Sequence, residues 1–364
     1  MRRVKMFKKL VAFLLVMVFV TNIQCANANA SEKKEDGLIA YVESMLPQYL
    51  LVNELFAGEY KVSEPITLYD WETGESEKTL FLVFEGNQVV GRLVVQCYEG
   101  EYCSSFTKSN SDVLTKVYRE KTPVAFGSYN ECFVMRTETE NVLLSNSSKE
   151  NPLRGLSDST QRRASKLNCL QSIKLDDSMK VKSAVMPRTT VYNKKLGVKR
   201  VENTSVNGKG LCWATCVASK VRYQTGTVLS ALDVYHRLIC IYDGTPIGIE
   251  LWVDRAYPLY NVNVTRVSNC ISAGACFTQL NNRKPIHMSI KREGGSHDVL
   301  LAGVYYTDVS NAGGLYTIMD SNYGDTEDDL VTVGVSPSVI RNGSGFTYVA
   351  DYGYTYTEWY RTWY

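Results

Sequence analysis

Apolar and polar positions change texture three times along this 364-residue chain. Near the start, Leu10 to Val20 is an unbroken apolar run behind Arg2, Arg3, Lys5, Lys8 and Lys9. From residue 31 to about 150 the apolar positions fall into short β-rich runs: ITLYD (66–70), TLFLVF (79–84), QVVGRLVVQ (88–96) and CFVMRT (132–137). Gly-containing turns at Thr73-Gly74, Glu85-Gly86-Asn87 and YEGEY (98–102) separate the first of them, as in an antiparallel meander. Helical spacing predicts helices over 38–50 and 111–120. No constellation with catalytic spacing occurs here, so this stretch reads as a small α+β packing module. Cys97 and Cys103 flank one tight turn symmetrically, which predicts a cross-strand disulfide in an oxidising compartment.

Residues 145–190 break the pattern. SNSSKENPLRGLSDSTQRRASK is polar and poor in large apolar residues, so it reads as a linker and a natural place for proteolysis. Periodicity returns after Val191, first helical and then strand-like. The helical segments begin at Cys212, Ala231, Ile249 and Ile271, and PIHMSIKR, HDVLLAGVYY, GLYTIMDSN, LVTVGV and GFTYVADYGYTYTEW follow as strands. Helices first and an antiparallel sheet second is an α+β order, distinct from the alternation of a parallel α/β sheet.

The basic start, the short apolar run and the small residues of Ala26-Asn27-Ala28-Asn29-Ala30 predict a secretory signal peptide over 1–30. That run is too short for a membrane span, and no other is longer. Gln24 stands where lipidation of Cys25 would want a small residue. A net charge of +2 gives no reason to expect a nucleic-acid partner. The expected organisation is therefore a signal over 1–30, an α+β module over 31–150, a linker over 151–190 and a second domain over 191–364.

Candidate chemistry concentrates in that last domain. In GLCWATCVASKVRYQTG (210–226), Cys212 stands at the head of a helix, where unpaired N–H groups and the helix dipole favour a thiolate. Cys216 lies a turn further in, where the dipole helps less. Only three histidines occur, at 236, 287 and 297. His297 follows Gly294-Gly295-Ser296 at the start of a strand, where close backbone approach is allowed, and is the best candidate base. Asp320 or Asn322, at the end of the next strand, would orient its ring. Five cysteines lie beyond residue 191, which leaves one unpaired if the others form two bridges. Their spacings match no common zinc pattern, and neither metal nor cofactor is expected.

CWATCVAS, GGSHDVLLAGVYY and YTIMDSN, in that order, resemble the papain-like cysteine peptidases, in particular the bacterial bacteriocin-leader peptidases and staphopains. The resemblance covers about 110 residues. It implies a papain-like domain with Cys212 as nucleophile, His297 as base and Asp320, or alternatively Asn322, as the orienting group. The oxyanion-hole Gln of the family has no counterpart: Val206 stands in its place, which leaves Asn207 as the nearest donor. The resemblance also implies a secreted zymogen whose leading module is a prodomain, an intramolecular inhibitor occupying the cleft, with an activation site between Arg162 and Arg188. Protein or peptide is the implied substrate, and the motif style points to a Gram-positive bacterium. Two other readings stay open. One is an inactive binding protein whose aromatics, Tyr352, Tyr354, Tyr356, Trp359, Tyr360, Trp363 and Tyr364, form a ledge for cell-wall polymer. The other is a thiol amidase or transpeptidase acting on cell-wall peptides.

Overall fold

The computed structural model describes residues 32–364, apart from 57, 72, 77, 110, 130–131, 139–140, 146–169, 185–188, 243–248, 310–311 and 324–325. The expected signal peptide lies outside the described residues, as do 162–169 and 185–188 of the expected activation segment. The helix expected over 38–50 is α1, Glu32–Val52. Residues up to Leu46 and residues 47–364 are two separate units, and the second carries everything below.

The leading strands are β1 (Tyr60–Ser63), β2 (Ile66–Asp70), β3 (Lys78–Glu85), β4 (Gln88–Tyr98), β5 (Glu101–Lys108), β6 (Ala125–Tyr129), β7 (Cys132–Arg136) and β8 (Asn141–Ser145). α2, Asp112–Glu120, lies between β5 and β6, with Ser111 as its N-cap accepting from the Leu114 N–H. The meander β3–β4–β5 matches expectation. At its second turn Glu99 and Gly100 both have positive φ, 50° and 84°. That is the backbone a two-residue hairpin needs to follow the strand twist. Leu80, Leu82, Phe84, Val89 and Val94 from this meander bury against Leu114 and Val117 of α2 and Phe126 and Phe133 of the next hairpin. The expected Cys97–Cys103 disulfide is absent. Cys97 pairs with Tyr102 and Cys103 with Gln96, so the two thiols are one residue out of register and on opposite faces, and both are free.

The second half of the 151–190 segment departs from its linker texture. β9, Leu175–Val181, pairs antiparallel with β1, and Ile173, Met179 and Val181 are buried. Its polar positions face water while alternate apolar ones reach the core, so composition alone hid the strand.

The remaining strands are β10 (Val191–Lys195), β11 (Ser205–Val206), β12 (Lys209–Gly210), β13 (Arg266–Val267), β14 (Ile286–Arg292), β15 (Gly295–Thr307), β16 (Gly314–Met319), β17 (Val331–Val335), β18 (Tyr348–Val349), β19 (Thr355–Tyr356) and β20 (Glu358–Trp363). The helices are α3 (Cys212–Thr225), α4 (Ala231–Tyr242), α5 (Ile249–Ala256), α6 (Ala273–Asn281) and α7 (Pro337–Asn342). β13-β20-β14-β15-β16-β17 continue through β5 into β4, β3, β2, β6, β7 and β8 as one mixed sheet, parallel only between β2 and β6. The molecule is thus α+β, with seven helices among the described residues. Val217, Ala218 and Val221 of α3 pack with Val234 and Leu238 of α4, Val253 of α5 and Trp363 of β20. Of the seven aromatics of the expected ledge, Tyr352, Tyr356, Trp359 and Trp363 are buried, and Tyr354, Tyr360 and Tyr364 are half-buried. The strap over residues 346–357 and β20 thus bury one set of these rings and leave the other half-buried. Among the described residues no helix is long and apolar enough to cross a membrane.

Candidate active site

The chain approaches α3 through the β11–β12 hairpin, whose tip is Asn207-Gly208 with φ of 52° and 74°. The Leu211 N–H then bonds to the Thr204 carbonyl, and the Ala214 and Thr215 N–H groups bond back to Leu211. Cys212 is therefore the first residue of the helix, where its N–H has no carbonyl within the helix to meet. Gly226, in the left-handed region, closes the other end.

His297 comes from the other side. A two-residue turn at Glu293-Gly294 reverses β14 into β15 and pairs Ile290 with His297. The ring is 4% exposed. Its Nε2 lies 2.7 Å from Asp320 Oδ1, just past the end of β16, which leaves Nδ1 as the nitrogen for a thiol. Asp320 is fully buried and its remaining lone pairs are occupied. Oδ1 also accepts from the Asn322 N–H at 2.9 Å, and Oδ2 accepts from the Tyr348 and Tyr352 hydroxyls at 2.8 and 2.6 Å. Tyr356 stacks on the His297 ring at 5.6 Å.

Burial opposes charge on His297, but the Asp320 carboxylate, with smaller contributions from Tyr356 and the Cys212 thiol, holds it well above the usual histidine range. Burial likewise opposes ionisation of Asp320, and His297, Tyr352 and the Asn322 N–H outweigh it, holding the carboxyl below its ordinary value. Both partners thus favour an imidazolium–carboxylate pair.

A second buried pair lies next to the first. Asp298 Oδ2 is 3.8 Å from Cys212 Sγ, and Oδ1 accepts from Ser289 Oγ and lies 3.2 Å from His287 Nε2. The Tyr257 hydroxyl lies 2.9 Å from His287 Nδ1. Burial pushes His287 below the usual range and the Asp298 carboxylate does not reverse this. Asp298 is held low against its own burial by His287, Ser289 and His297. The consistent state is a neutral His287 that accepts from Tyr257 and donates to an ionised Asp298. Behind it, burial drives the Lys220 ammonium down to about 7.

Of the residues read from sequence, Cys212, His297 and Asp320 converge. Asn322 contributes its backbone N–H, while its side-chain Oδ1 accepts from Asn203 Nδ2 at 2.7 Å. Asn207 sits exposed at the hairpin tip and makes no described hydrogen bond to the site. The amide beside the loop is Asn203, 3.9 Å from the point where a Cβ on Gly210 would stand. Sequence distance hid it, because the hairpin folds residues 203–204 back against 210–211. Asp298 and His287 had a visible signal in their alternation on paired strands, but the pairing register was needed to bring them together. The five cysteines beyond residue 191 are all free thiols, so the odd count does not single out one unpaired thiol. Cys216 and Cys276 lie fully buried in the core, where burial pushes both thiols up. Among the described residues no cluster of His, Cys, Asp or Glu suits a metal ion.

No family model matches the chain, and no curated protein matches its sequence.

Proposed function

We propose that the chain is a secreted cysteine peptidase of papain-like type, made as a precursor whose linker carries the activating cleavage. One observation carries this reading: a thiol in the first turn of α3, 3.8 Å from Asp298 Oδ2, lies beside a buried histidine that a fully hydrogen-bonded aspartate orients and favours in its charged form.

In this mechanism Cys212 attacks a peptide carbonyl as the thiolate, and the carbonyl π electrons move to oxygen. The Cys212 N–H and the Asn203 amide, in place of Asn207, supply donors to that oxyanion. His297 gives its proton to the amine nitrogen as the C–N bond breaks, which leaves an acyl thioester and a free amine. Water, deprotonated by the now neutral His297, attacks the thioester; the C–S bond breaks and Cys212 returns as thiolate beside imidazolium. Asp320 holds the ring throughout and takes no proton.

The test is alkylation of the folded protein by an iodoacetamide probe at about pH 5.5, where ordinary thiols are almost wholly protonated. Selective modification of Cys212 is expected, over the exposed Cys97 and Cys240. The selectivity should vanish in His297→Ala. Equal, slow modification of all accessible cysteines would overturn the peptidase reading.

A further inference from the structure

The strap that holds the His297–Asp320 pair is also where the leading module sits. β5 pairs with β17 through Val331↔Thr107, Thr332↔Phe106 and Val333↔Ser105, so one sheet runs through both halves. Beyond this edge, Lys78 Nζ donates to the Ala350 and Tyr354 carbonyls, both at 3.0 Å. Ser105 Oγ donates to the Val349 carbonyl at 2.5 Å, and Thr355 Oγ1 bonds Gln96 Oε1. Arg92 and Asp351, both fully buried, lie 3.4 Å apart, and the guanidinium faces the rings of Phe133 and Tyr323. Residues 349–351, 354 and 355 thus receive the module, while Tyr348, Tyr352 and Tyr356 in the same strap hold Asp320 and His297.

The resemblance to secreted peptidases implies a module that fills the cleft and leaves on activation. The described contacts are of another kind. Departure would uncover the β17 edge, take the ammonium from two strap carbonyls and separate a buried ion pair. We infer that the β17 edge and strap 346–357 are a permanent docking surface for the leading module, and that Arg92 and Lys78 are positioning residues for the His297–Asp320 pair. Cutting the linker then yields a two-chain protein with the module retained as a subunit. The docking stands on the interface alone; the positioning role rests on the peptidase reading.

The experiment is limited tryptic cleavage of the full chain at Lys182, beyond β9, so that the β1–β9 pair stays on the module's side of the cut, followed by native size-exclusion chromatography and Cys212 alkylation of each peak. Co-elution of the two fragments with rapid alkylation is expected. A C-terminal fragment that elutes alone and alkylates as fast as the uncut chain would overturn the inference and leave the peptidase reading intact. Co-elution without selective alkylation would support the docking surface and overturn the peptidase reading. For positioning, Arg92→Met in the full chain should lower kcat roughly 10- to 100-fold with little change in KM, since small misplacements at a reacting centre cost this much. Arg92→Lys should restore most of it, and Lys78→Met provides the same readout if Arg92→Met does not fold. Unchanged kcat in both Met variants would overturn the positioning role.

Discussion

Asp320 is the residue on which the site depends most heavily. It is fully buried, and its two oxygens meet His297, the Asn322 N–H, Tyr348 and Tyr352. Asp320→Asn keeps the size and removes the charge that holds the imidazolium. On the proposed peptidase reading, kcat should fall about 10²- to 10⁴-fold, and the alkaline limb of the rate profile should move to lower pH, measured with a peptide substrate. On the same reading, in which Asn203 is an oxyanion donor, Asn203→Ala should lower kcat by about 10²-fold with little change in KM. Asn207→Ala should leave the kinetics unchanged. The histidines carry opposite signs in stability. His297, raised on folding, contributes stability that is complete below about pH 6.5 and lost as pH rises through its folded value. Asp320, lowered, contributes stability present above about pH 3.9 and lost as pH falls through its folded value. His287 is also lowered, so the unfolded chain takes up that proton first and stability is lost as pH falls below about 6.5. His287→Gln should therefore flatten the acid side of the urea-denaturation profile from about pH 6.5 downward. At this scale the placing of Cys212 at a helix head and of His297 beside Asp320 was legible, because helix heads, Gly-preceded strand starts and strand ends leave local signatures. Asn203 leaves none, since its place depends on a hairpin closing.

Among the elements, turns and helices followed their local chemistry and failures came from pairing. The β3–β4–β5 meander was readable from alternation and glycines, yet the symmetric placing of Cys97 and Cys103 misled because a one-residue offset in register turns side chains to opposite faces. β9 was hidden for a related reason: only Met179 and Val181 of LDDSMKV are buried. β6 depends on a glycine. A Cβ on Gly127 would stand 1.9 Å from Trp71 Nε1, and Trp71 is itself buried. Gly127→Ala should destabilise the fold by about 1–3 kcal/mol, the range for overpacking a core, read from the urea midpoint.

Across the whole molecule the pair that matters most is Arg92–Asp351, because it joins strands of the leading module to the strap at the site. Asp351→Asn would leave a buried guanidinium without its counter-charge, at about 3–5 kcal/mol. Arg92→Met combined with Asp351→Leu should recover most of that loss, and a double-mutant cycle in urea would measure the coupling. The sequence divided this molecule by texture into two parts and a linker. It could not show that the parts share one sheet, since strands that pair across a long interval need only match each other in space and carry no mark of it locally.

That shared sheet has a consequence for how the chain reaches its native state. β5 and β17 are separated by some 220 residues, so their pairing awaits the closure of a very long loop. High contact order slows folding, and the pairing of these two edges is expected to be a late step. While the linker is intact the step is unimolecular, helped by the high effective concentration a tether gives. Once the linker is cut the same step becomes a bimolecular encounter. Refolding of the uncut chain should therefore proceed at a rate independent of protein concentration, whereas the cleaved protein, once denatured, should regain its structure at a rate that falls on dilution.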